Sequence, residues 1–151
     1  MEFNFEKEMI YGKKHVNIIE NYDKDKYDFR NCLAECFNIE PTKLDEIHKL
    51  GYEYDVFKEF GPDTNTWYHS TFYKYLKSEN GKKMQEIYDN LIKEVVLPYI
   101  GLNEALIQVF PSFRIQLPNN VAVAKKHCDS SLGHPYGEIN LTYSIKQFTV
   151  V

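Results

Sequence analysis

The sequence predicts an α+β fold in which helices come first and antiparallel strands follow. Apolar residues recur at helical spacing through the first hundred residues, whereas beyond Gly101 the pattern becomes strand-like. Turn-rich stretches with glycine, proline and asparagine separate the segments. The chain has 151 residues, enough for one core, so we expect a single domain over 1–151. Residues 1–104 are predicted to be mainly helical and 105–151 to be β.

Four segments carry the helical prediction. Residues 28–37 place five apolar side chains on one helical face: Phe29, Cys32, Leu33, Cys36 and Phe37. Residues 41–50 predict a short helix with one apolar face, stopped by Gly51. The aromatic cluster in 67–77 predicts a short helix or an irregular packed segment.

The fourth and longest helix is predicted from about Lys82 to Tyr99. Its buried stripe comprises Met84, Ile87, Leu91 and Val95. Pro98 and Gly101 close it, while residues 78–81 break the chain before it.

The last third of the chain reads as strands. Residues 105–110 form an apolar run, and 113–117 alternate Phe113, Ile115 and Leu117 with two polar residues. Residues 121–127 and 138–145 complete the predicted set. Helices followed by a run of strands are typical of an α+β layout.

Composition excludes several classes of function. The net charge of −4 argues against general nucleic-acid binding, which needs a basic surface. No apolar run is long enough to span a bilayer, and the N-terminus lacks the apolar region of a secretory signal. Three cysteines, an odd number, then indicate a cytoplasmic protein with reduced thiols. Cys32 and Cys36, one helical turn apart, are expected to act as small buried hydrophobes.

A His-x-Asp pair is the main chemical signal. His127 and Asp129 stand two residues apart at the end of a predicted strand, so their side chains project to the same face. One further histidine would complete the two-His, one-carboxylate triad that holds ferrous iron. The tripeptide alone has low specificity, and a strand end whose His and Asp hydrogen-bond to nearby turns is the simpler reading.

The block over residues 110–140 is more specific. It contains, in one order, the pieces FRIQLP (113–118), VAV (121–123), HCD (127–129) and GHPYGEIN (133–140). This block resembles a group of iron(II)/2-oxoglutarate-dependent oxygenases related to a streptomycin-biosynthesis protein, within the phytanoyl-CoA-dioxygenase-like class. The resemblance is close after Phe110 and loose over the helical front.

The resemblance implies a double-stranded β-helix of the jelly-roll, cupin-like type, preceded by bracing helices. It implies that His127 and Asp129 bind Fe(II), that 2-oxoglutarate is the co-substrate, and that a small molecule is hydroxylated. The family's second histidine and its basic 2-oxoglutarate-binding residue would lie beyond Val151. We therefore expect an oxygenase whose β-helix and metal site are incomplete in this chain.

Three further residues are candidates near this site. Arg114 either anchors an anion such as 2-oxoglutarate or is a solvated strand arginine. Asn140 either donates to a co-substrate carboxylate or lies on a half-exposed strand. His134 either orders its Gly-His-Pro turn, touches substrate, or supplies the third metal ligand, for which its loop would have to fold back sharply.

A non-catalytic role is the alternative. Half a β-helix would leave an unpaired strand edge over 138–151, ending in the apolar run FTVV. Such an edge favours pairing with another chain, which predicts an interaction module or a homo-oligomer.

Overall fold

The described part of the chain is helical. The computed structural model describes residues 19–52, 66–115, 133–134 and 138–143, and within these ranges it contains helices but no β-strand. The predicted α+β fold is therefore wrong for these residues, and the antiparallel strands of a β-helix are not found in them. The strand predicted over 121–127 lies outside the described residues.

Helix α1 spans Phe29–Phe37, one residue shorter than predicted. Asp28 caps its N-terminus by accepting a hydrogen bond from the Asn31 amide, and this satisfies an otherwise unpaired backbone donor. Asn38 ends the helix in the left-handed conformation, with φ 52°. The helix buries one face: Phe29, Cys32, Leu33, Ala34 and Phe37.

The second helix, Pro41–Tyr52, is a 3₁₀ helix. A 3₁₀ helix has three residues per turn, so Leu44, Ile47 and Leu50 fall directly above one another. Leu44 and Ile47 are buried against α1, and Leu50 is half-buried. The apolar side chains from which a helix was predicted are three residues apart, and this spacing matches a 3₁₀ helix.

Helix α2 spans Trp67–Leu76 and helix α3 spans Glu79–Leu91. Only Lys77 and Ser78 separate them, because the Ser78 hydroxyl caps α3 by accepting from the Gly81 amide. The predicted break over 78–81 is therefore shorter than expected.

A π segment, Ile92–Val96, continues α3, and a short helix α4, Leu97–Tyr99, ends it. The π turn accommodates one extra residue, so the buried stripe moves from the predicted Val95 to Val96. Gly101, with φ 74°, ends this composite helix where the sequence predicts. None of the described helices has an apolar stretch long enough to cross a membrane.

Six of the sixteen buried apolar residues in the described region are aromatic. Phe113, which follows the helices in sequence, packs between α1 and α2. Its ring lies 5.5 Å from Phe37 and 4.9 Å from Phe72, nearly parallel to the latter. The Tyr68 hydroxyl donates to the Ile47 carbonyl at 2.9 Å and joins α2 to the 3₁₀ helix.

The alternation predicted as a strand in 113–117 has a different cause. Phe113 is buried, Arg114 is exposed and Ile115 packs partly against the core. A segment lying on a helical surface presents alternate side chains inward without pairing its backbone to a neighbouring strand. Residues 105–110 and 138–143 likewise lie outside any strand, and their large apolar side chains are exposed.

We predict that Phe113→Ala lowers the free energy of unfolding by about 3 kcal/mol, because it leaves a cavity between two helices. Chemical denaturation followed by circular dichroism measures the change. Arg114→Ala, at the adjacent exposed position, is the control and should change stability by less than about 0.5 kcal/mol. Equal effects of the two substitutions would contradict this packing.

We also predict that Gly81→Ala destabilises the protein, although alanine is normally the better helix former by about 1 kcal/mol. A Cβ atom at position 81 would lie 2.2 Å from the Tyr75 carbonyl oxygen and 2.5 Å from the Leu76 Cα, so α2 and α3 would have to separate. The thermal midpoint should fall for Gly81→Ala and stay unchanged for the exposed control Glu86→Ala. A raised midpoint would show that the helices do not approach this closely.

Candidate functional site

The two predicted metal ligands, His127 and Asp129, lie outside the described residues. Arg114, His134 and Asn140 are described, and all three are exposed. Within the described ranges, no three His, Cys, Asp or Glu side chains converge to hold a metal ion. The described structure therefore shows three of the candidate residues and neither predicted metal ligand.

Arg114 is fixed through its neighbours. Phe113 is 7% exposed in the aromatic core and Ile115 packs against that core, so the backbone between them cannot rotate freely. The Arg114 guanidinium consequently lies on the opposite side, in solvent. This position suits an anion-binding role and a solvated role equally, and both remain predictions.

His134 lies beside a carboxylate. Its Nδ1 atom is 2.6 Å from Glu138 Oε2, and both side chains are partly exposed. Gly133, with φ 87°, provides the left-handed turn that starts this motif. Because Nδ1 is engaged, Nε2 is the ring atom that remains to face an ion or a substrate.

Tyr143, in the segment 138–143, packs against α1. The Tyr143 ring lies 5.2 Å from Phe29, and this partial burial, together with the nearby Tyr22, raises the pKa of the Tyr143 hydroxyl. Ile139 and Leu141, which alternate with polar residues in the predicted strand, are both nearly half exposed. Asn140 is exposed as well, so the segment has no sheet-like division into an apolar and a polar face.

Two open surface grooves lie in the described helical part, and neither is lined by Arg114, His134 or Asn140. One, of about 590 Å³, runs between α1 and the 3₁₀ helix and is lined by three glutamates and two lysines. The other, of about 440 Å³, lies between residues 19–23 and the π segment. Charges of both signs in the first groove offset one another, so the groove selects no ligand class.

The α1 cysteines lie in an apolar environment. Burial raises the pKa of Cys36 to about 12 and also raises that of Cys32. Glu35 nearby accepts hydrogen bonds from the Tyr75 hydroxyl, at 3.1 Å, and from the Asn80 amide. These bonds connect α1 to α2 and α3, so the cluster is structural.

Glu94 is a polar residue that the sequence did not single out. It lies in the π segment and accepts hydrogen bonds from Lys26 Nζ and, at 2.5 Å, from the Tyr27 hydroxyl. The two donors lower the pKa of Glu94. No local pattern signals this contact, because the partners are 67 and 68 residues away in sequence.

Comparisons with known proteins give no match: no family model, no curated protein and no solved structure is similar to this chain.

We predict that Cys36 alkylates slowly in the folded protein at pH 8. A thiol with a pKa of about 12 is almost entirely neutral at that pH, and the thiolate is the reactive form. Iodoacetamide labelling followed by peptide mass spectrometry measures the rate, with glutathione as the reference thiol. The rate should rise at least tenfold in denaturant, and a folded-state rate equal to that of glutathione would contradict the burial.

Proposed function

We propose that this chain binds ferrous iron through His127 and Asp129 and takes part in the 2-oxoglutarate-dependent oxidation of a small molecule. One observation carries the proposal: the His-x-Asp pair stands within residues 110–140, where three other short sequence pieces also resemble that oxygenase group. Four matched pieces in the same order are far more specific than the pair alone.

The chemistry of the donor set suits ferrous iron. One imidazole and one carboxylate are two of the three ligands in the facial triad, which leaves coordination positions open. Molecular oxygen would supply the oxidising power, and bound iron with 2-oxoglutarate would make it available for the reaction. The chain's own residues would hold the metal and orient the ligands.

Two exposed groups are suited to hold the co-substrate. The Arg114 guanidinium can pair with a carboxylate through two parallel hydrogen bonds, and Phe113 beside it anchors the backbone. The Asn140 amide can donate a further bond. The contact between His134 and Glu138 orients the imidazole in the turn that follows Asp129.

We predict that the chain binds Fe(II) anaerobically and that His127→Ala or Asp129→Ala weakens binding by more than about tenfold, since each removes a ligand. Isothermal calorimetry measures the affinity. His48→Ala is the matched control, because His48 is a half-buried histidine on the 3₁₀ helix, and it should leave the affinity unchanged.

A second measurement separates metal binding from turnover. Release of carbon dioxide from 2-oxoglutarate should require iron and should be lost in His127→Ala. Iron binding that is insensitive to both ligand substitutions would overturn the proposal, as would the absence of iron-dependent binding of 2-oxoglutarate.

A further inference from the structure

A histidine and a carboxylate pair with each other in the segment that follows the predicted metal ligands. His134 Nδ1 is 2.6 Å from Glu138 Oε2, and neither residue lies in a helix. A carboxylate has no hydrogen to donate at neutral pH, so the imidazole is the donor in this bond. Nδ1 of His134 therefore carries a hydrogen.

This bond determines the chemistry of the other ring nitrogen. A neutral imidazole has a hydrogen on one nitrogen only, and the bond made by that nitrogen selects which one it is. With Nδ1–H held by Glu138, Nε2 of neutral His134 has a lone pair and no hydrogen. It can accept a hydrogen bond or a proton, and it cannot donate to a carboxylate or a phosphate.

Both side chains can be reached from solvent. The His134 side chain is 46% exposed and that of Glu138 is 30% exposed. Gly133 precedes the histidine in the left-handed conformation, and a Cβ atom on it would meet no described atom within 4 Å, so the turn is open at this point. Exposed ion pairs contribute little to stability. We therefore expect the contact to matter for the orientation and tautomer of the ring and not for folding.

We propose that Glu138 is a positioning residue, which holds His134 so that Nε2 accepts a hydrogen bond from a hydroxyl or amino group of the small molecule. The inference rests on the proposed function for the presence of that small molecule. The negative charge of Glu138 beside the ring favours groups that carry hydrogen and disfavours anions. Since 2-oxoglutarate is an anion, this pair binds the small molecule and not the co-substrate.

Magnetic resonance of the metal-free full chain, with nitrogen-labelled histidine rings, tests the positioning role. At about pH 8.5, where an ordinary histidine is neutral, the His134 ring should carry hydrogen on Nδ1 and none on Nε2. Glu138→Ala should reverse this preference, because a histidine without such a partner favours hydrogen on Nε2. Glu104→Ala removes another exposed carboxylate and is the matched control, which should leave the ring unchanged. The thermal midpoint should be the same in all three proteins, and His134→Asn identifies the ring signals by their loss.

Diethyl pyrocarbonate tests whether Nε2 is an open acceptor, because this reagent acylates a ring nitrogen that carries no hydrogen. The same labelled protein shows which nitrogen of His134 is acylated and how fast. In the unaltered chain the product should form on Nε2. The rate at that atom should fall by roughly threefold or more in Glu138→Ala, where most rings carry hydrogen on Nε2. Glu104→Ala should react as the unaltered chain does.

Hydrogen on Nε2 in the unaltered chain would overturn the proposal, as would a tautomer that Glu138→Ala leaves unchanged. Acylation of Nε2 at equal rates in the unaltered chain and in Glu138→Ala would overturn it as well. None of these measurements needs iron. They can therefore contradict the role of Glu138 while the chain still binds iron. A chain that keeps the tautomer but binds no iron would instead contradict the proposed function, and with it the small molecule as the partner of Nε2.

Discussion

The packing of Phe113 on α1 and α2 is the contact on which the rest of the described structure depends. Residues 102–112, which follow the composite helix that starts with α3, are largely exposed. The Phe113 ring returns the chain to the core by filling the space between Phe37 and Phe72. The His69 ring also contacts Phe113, edge-on and with 5.6 Å between the ring centres. Large rings in tilted and stacked arrangements stabilise such a junction beyond the area that they bury.

Polar contacts determine how the remaining segments attach to this core. Tyr68 joins α2 to the 3₁₀ helix, and Glu94 joins the π segment to residues 26–27. Gln85 and Tyr88 bind backbone carbonyls of the segment 105–110. In that segment the carbonyls of Gln108 and Val109 accept bonds from α3, and the large apolar side chains are exposed.

The candidate site was predictable only in part. The His127–Asp129 pair and the block around it can be recognised in the sequence because ligand spacing and turn residues are local features. The exposure of Arg114 follows from the alternation around it, which the structure retains without a strand. The contact between His134 and Glu138 was not predicted, since it depends on how the glycine turn at Gly133 directs the chain.

The sequence alone determined the main helices and most of their buried faces, because helical hydrogen bonds and apolar periodicity act over three or four residues. Gly101 ends the composite helix where the sequence predicts, whereas α3 begins at Glu79, ahead of the predicted Lys82. Tertiary structure alone decided that 113–115 lies on helices and pairs with no strand in the described chain, and that the π turn moves the buried stripe to Val96. The physical reason is that alternating side chains show only that one face is covered. A strand also needs a backbone partner, and a π turn is held by contacts from far along the chain, so neither is encoded locally.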